Sequence, residues 1–145
     1  MESNEYLEQG KKLALEGKYL EAAESFAEAA RLEPENAQAF WFLGIALGEA
    51  GKLEDAVGAL FQATSLQPDF WEAYFYLALC LKGLGRLDGA EACLRKVLSL
   101  QPDHAESYNN LGLILSETDQ LIEAESCFLL ALELTPDSAE LCNNY

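Results

Sequence analysis

The side chains best suited to covalent or metal chemistry are four cysteines and one histidine. Cys80, Cys93, Cys127 and Cys142 form no Cys-x-x-Cys pair and have no histidine cluster beside them, so neither a zinc site nor a redox dithiol is indicated. His104 falls in a turn just after Pro102, and no HExxH, GxSxG or phosphate-cradling glycine loop is present. Glutamates are abundant, but at the ends and outer faces of amphipathic helices they read as solvated charges, whereas an active site needs clustered, perturbed titratable groups. No catalytic centre, no metal and no cofactor are expected.

The residues with binding chemistry are of another kind. Residues 40–42 read FWF and residues 74–76 read YFY, two aromatic triplets 34 residues apart. A helix turns about 100° per residue, so one ring of each triplet can face a core while the other two point elsewhere. Asparagine pairs stand downstream at Asn109-Asn110 and Asn143-Asn144. Each amide both donates and accepts, which suits it to the backbone of an extended peptide.

The 145 residues are 50% apolar and 23% charged, a globular composition. Nine Lys and Arg against 25 Asp and Glu give a net charge of −16, which repels phosphate backbones and anionic lipid and argues against nucleic acid as a partner. The opening MESNEYLEQG lacks the basic and apolar regions of a signal peptide. The longest nearly apolar stretch, residues 39–48, is half of the roughly 20 residues that cross a bilayer, so no membrane insertion is expected. Unpaired cysteines fit a reducing cytoplasm.

The prolines show which elements position these residues. Pro34, Pro68, Pro102 and Pro136 are spaced by 34 residues, which divides the chain into units 3–36, 37–70, 71–104 and 105–138, with 139–145 opening a fifth. The fourth place of each unit holds Tyr6, Phe40, Tyr74 and Tyr108, the eighth Gly10, Gly44, Ala78 and Gly112, and the eleventh Leu13, Leu47, Leu81 and Leu115. This is the core stripe of a first helix, with a small residue where a second helix approaches. A turn follows at Gly17, Gly51, Gly85 and Asp119. The second helix carries Ala22, Ala56, Ala90 and Ala124, then Phe26, Leu60, Leu94 and Phe128, then Ala29, Ala63, Val97 and Ala131, again one helical face. Each proline ends its second helix.

This pattern resembles the tetratricopeptide repeat family over nearly the whole chain. The resemblance implies an all-α, right-handed superhelical solenoid of antiparallel helix pairs, first helices lining a concave groove. Members mostly bind peptides or protein segments as scaffolds, adaptors or chaperones. The stretch NNLG at 109–112 looks like the asparagine-bearing repeats of protein O-GlcNAc transferases, whose catalytic domain is not here, and FWFLG is similar in flavour to the apolar grooves of type III secretion chaperones. The lysine, arginine and asparagine pattern with which other members clamp a C-terminal carboxylate is not matched, because only Lys11 is basic at those places in the first three units.

Relative to the fourth place, the fifth and sixth lie about 100° and 200° round the helix and leave the core stripe. The concave face then reads Trp41, Phe42 and Ile45 in the second unit, Glu72, Phe75, Tyr76 and Leu79 in the third, and Asn109, Asn110 and Leu113 in the fourth. Phe40 and Tyr74 are framework, while Trp41, Phe42, Phe75 and Tyr76 are expected to be surplus to the fold and open to a partner. The expected function is a protein-interaction scaffold anchoring a partly apolar segment at the rings and its backbone at the asparagines. The fourth unit has seven acids (Glu106, Glu117, Asp119, Glu123, Glu125, Glu133, Asp137) and no base, so a partner reaching it gains from lysine or arginine. The alternatives are packing of the rings on neighbouring repeats, a self-associating assembly module, and a chaperone-like binder of apolar segments. Because a first helix opening at 139 stops at Tyr145, Phe128 and Ala131 are expected to be incompletely covered, as in a fragment of a longer protein or an end that docks on another molecule. Cys93 and Cys127, at equivalent places, are expected about 8–10 Å apart and all four thiols free.

Overall fold

A computed structural model describes residues 2–135; Cys142, the Asn143-Asn144 pair and the opening of a fifth unit lie outside the described residues. Eight helices occupy the described chain: α1 (Ser3–Leu15), α2 (Tyr19–Leu32), α3 (Ala37–Glu49), α4 (Leu53–Leu66), α5 (Trp71–Gly83), α6 (Leu87–Leu100), α7 (Ala105–Glu117) and α8 (Leu121–Leu134). Every first helix has 13 residues and every second helix 14.

The turn inside each pair is a glycine-type helix stop. Gly17, Gly51 and Gly85 have φ of 77°, 84° and 78°, and the next residue's N–H reaches back to Leu13, Leu47 and Leu81 respectively. That left-handed residue satisfies the last helical carbonyls and reverses the chain. Asp119 adopts the same geometry with φ 62° and keeps the bond from Gln120 N–H to the Leu115 carbonyl, so the turn without a glycine closes like the others. At the other end, Glu33, Gln67 and Gln101 leave helical geometry directly before a proline.

Inside a pair the helices approach through the small eighth place. A methyl group on Gly44 would lie 2.4 Å from Leu60 Cγ, one on Gly10 2.6 Å from the Phe26 ring, and one on Gly112 2.8 Å from Phe128. Between pairs, three core clusters each straddle a boundary. The middle one joins Ala56, Leu60 and Ala63 of α4 to Phe70 and to Ala73 and Leu77 of α5. Each pair therefore closes its core only against its neighbour, as in a solenoid. Helix α3 is apolar almost all round because α2, α4 and α5 all pack on it.

Phe128 and Ala131, expected to be incompletely covered, are buried at 9% and 1% exposure, and Gly112 of α7 packs on the Phe128 ring. The most exposed apolar side chains of α8 are instead Leu121, Ile122 and Leu129, with Leu130 and Leu134 less so. Arginines tie pairs together on the outside, Arg86 to Glu54 and Arg95 to Glu123, and Arg95 also pairs with Glu91 on its own helix. Among the described residues no helix is long and apolar enough to cross a membrane.

Candidate binding surface

All ten residues expected on the inner face are half-buried: Trp41, Phe42 and Ile45 on α3, Glu72, Phe75, Tyr76 and Leu79 on α5, and Asn109, Asn110 and Leu113 on α7. The rings are not surplus to the fold. Trp41 and Tyr76 pack against the middle core cluster, Phe42 against the first and Phe75 against the last. Their spacing forces this, since a ring 100° off the core stripe points at the adjoining pair rather than away from the molecule.

Each fifth-place ring meets the residue that immediately precedes the next first helix. Trp41 lies 5.2 Å from Phe70 and Phe75 lies 4.9 Å from His104, centroid to centroid. Both partners are 29 residues further along the chain, so the repeat period itself carries the signal for a contact the sequence reading missed. Around Trp41 the rings continue, to Phe42 at 5.0 Å and Tyr76 at 6.4 Å. The Trp41 indole N–H is buried and has no acceptor among the described residues. A donor in that state costs about 1–3 kcal/mol, so it is the least satisfied polar atom of the aromatic zone.

Phe42 stacks on Phe26 with centroids 5.3 Å apart and planes 18° apart. The Lys11 ammonium stands 5.1 Å above the Phe42 ring and 3.2 Å from Glu8. The cation faces the negative π-surface while its outer side stays wet.

His104 sits at the start of α7 between the rings of Trp71 and Phe75, each 4.9 Å away. Its Nδ1 is 2.7 Å from the Ser107 hydroxyl, which is fully buried. Burial pushes the His104 pKa below the ordinary histidine value, with Glu106 opposing. The imidazole is a packing and hydrogen-bonding group in this setting. Asn110 Nδ2 donates to the Glu106 carbonyl at 2.9 Å, which uses part of the amide expected for a partner's backbone.

Cys80, Cys93 and Cys127 are free thiols; Cys142 lies outside the described residues. Burial raises the Cys93 pKa to about 11 and also raises those of Cys80 and Cys127. Protonated thiols of this kind are poor nucleophiles and poor ligands. Among the described residues no three His, Cys, Asp or Glu side chains are grouped to hold a metal ion.

The arrangement of helix pairs has close counterparts. Tetratricopeptide repeat models match residues 7–65 and 43–92, and another matches 72–137. The chain belongs to the tetratricopeptide repeat family. Among solved structures, MamA is 28% identical with a TM-score of 0.90, covering 95% of this chain and 81% of that one. YrrB, described as a TPR protein with an unusual peptide-binding site, is 26% identical with a TM-score of 0.89, covering 97% and 73%. The first TPR of Spaghetti (RPAP3), solved bound to the HSP90 peptide SRMEEVD, is 24% identical with a TM-score of 0.79 over 81% and 94% of the two chains, a likeness of fold. The search of curated proteins finds no match.

Proposed function

We propose that this chain is a non-enzymatic scaffold that holds a peptide or protein segment against the inner face of its first helices. The observation that carries this reading is the half-buried row of rings on α3 and α5, whose inner sides are fixed on three core clusters. A ring already locked from behind loses little conformational freedom when a partner covers its remaining face, so its contact area converts efficiently into affinity. The peptide-binding site of YrrB, a relative at 26% identity, supports the same use of the fold. Tetratricopeptide arrays typically act as interaction modules without catalysis of their own. Free thiols and the absence of a spanning helix among the described residues fit a cytoplasmic setting.

The partner segment is partly apolar along α3 and α5, with lysine or arginine toward α7 and α8, where the fourth unit carries acids alone. Trp41, Phe42, Phe75 and Tyr76 all support the core, so the cleaner test uses Ile45→Ser with Leu79→Ser, neither of which packs on a core cluster. Partners recovered from cells with the intact chain are titrated against this double variant after circular dichroism has shown it folded. At least a tenfold loss of affinity is expected, and an unchanged affinity removes the groove assignment.

One observation favours a second reading, self-association. Leu121, Ile122 and Leu129 on α8 are 61%, 87% and 51% exposed. Light scattering over a concentration series separates the readings, because a strict monomer at high concentration leaves the scaffold alone standing.

A further inference from the structure

The inner face holds a second apolar feature away from the ring row. Between α1 and α3 a cavity of about 330 Å³ is lined by Ala14 and Leu15 of α1, Tyr19 and Phe26 of α2, and Phe42 and Ile45 of α3, with Lys11 the only charged residue on its lining among the described residues. Its lining is nearly all carbon, which suits an apolar side chain, and it is larger than the about 150 Å³ that accommodates benzene in an apolar protein cavity. Phe26 beneath it is 2% exposed and stacked on Phe42, so that side is rigid. Leu15 is 90% exposed beside it, although burial would stabilise so large an apolar group.

We propose that this cavity is the anchor site for one leucine- or methionine-sized side chain of a partner segment, with an aspartate or glutamate next to that side chain in the partner's sequence. This rests on the inner face being the partner surface. The charge preference comes from Lys11: its ammonium is held by the Phe42 ring and by Glu8, and its side chain remains 44% exposed. Its open side can take a second carboxylate, whereas a lysine beside the anchor would meet the same ammonium, with Glu8 already engaged by it. The segment then runs from an acidic anchor at α1 toward the acid-only fourth unit, which gives it a direction along the groove.

The test uses end-blocked hexapeptides SELEGS, SKLKGS and SEAEGS, so that no terminal carboxylate contributes, titrated into the full chain with methyl resonances of Ala14, Leu15 and Ile45 followed by NMR. The acid-flanked leucine peptide is expected to move these resonances and to bind about two- to fivefold more tightly than the lysine-flanked one, as an exposed ion pair allows. Replacing its leucine by alanine is expected to lose about tenfold, from lost apolar burial. Lys11→Glu is expected to invert the charge preference without unfolding the chain. Equal affinity for the acidic and basic peptides overturns the proposal. Shifts confined to Tyr76, Leu79 and Asn110 overturn the cavity and leave the groove reading intact, while no shift on any first helix overturns both. Cavity shifts that follow protein concentration without peptide assign it to a second copy. Cavity resonances that change on deleting residues 136–145 assign it to the chain's own end. Either result also overturns the proposal.

Discussion

At the residue scale, glycines of one composition have opposite roles that only their neighbours distinguish. Gly44 faces Leu60 so closely that an added methyl would lie 2.4 Å from a side chain with no exposure, whereas an added methyl on Gly58 meets nothing within 4 Å. Gly44→Ala is expected to destabilise by about 1–3 kcal/mol through overpacking. Gly58→Ala, within α4, is expected to stabilise by about 0.5–1 kcal/mol by restricting the unfolded chain. Urea unfolding of the two variants gives both signs, and a loss at Gly58 would contradict the open space seen there. Trp41 offers a second contrast. Trp41→Phe removes the indole N–H that lacks an acceptor, which offsets the smaller ring, so stability should change by less than about 1 kcal/mol. Trp41→Ala removes the packing on Phe70 and Tyr76 and should cost about 3 kcal/mol. Equal losses from the two substitutions would show that the indole nitrogen is satisfied in solution.

At the element scale, the first helices begin in different ways. Asn36 caps α3 by accepting from the Ala39 N–H at 3.3 Å, while Phe70 at the same place before α5 caps nothing and is buried against Trp41. His104 before α7 lies between these cases, joining α5 to α7 through two rings and the Ser107 hydroxyl. Its pKa is lowered in the folded chain, so the folded state binds this proton less readily than the unfolded state. The associated stability is present above the unfolded histidine value of about 6.5 and is lost as the pH falls from there through the folded value. Unfolding midpoints should therefore drop more between pH 7.5 and 5.5 for the parent chain than for His104→Asn, which retains a good capping residue. Parallel pH profiles for the two would remove His104 as the cause.

At the scale of the whole molecule, electrostatics divide into local attraction and global repulsion. The ion pairs between units, Arg86 with Glu54 and Arg95 with Glu123, are exposed, and such pairs contribute about 0–1 kcal/mol each. A net charge of −16 spread over a narrow solenoid repels itself. Screening weakens both, and the repulsion involves more charges. Thermal midpoints should rise as salt increases from about 10 to 150 mM, where the Debye length shrinks to about 8 Å. A falling midpoint would show that the inter-unit pairs dominate.

The fold was legible because the 34-residue recurrence of proline, glycine and the paired helix stripes repeats one local instruction four times, and each instruction concerns residues close in sequence. Helix stops, the small eighth place and the inner-face residues all follow from that register and the 100° turn of a helix. The sequence could not say how far a ring beside the stripe is covered, because that depends on the curvature with which one pair leans on the next. Tertiary packing decided how closely Trp41 and Phe75 rest on Phe70 and His104, and that α1 and α3 stand far enough apart beside Lys11 to leave an apolar cavity.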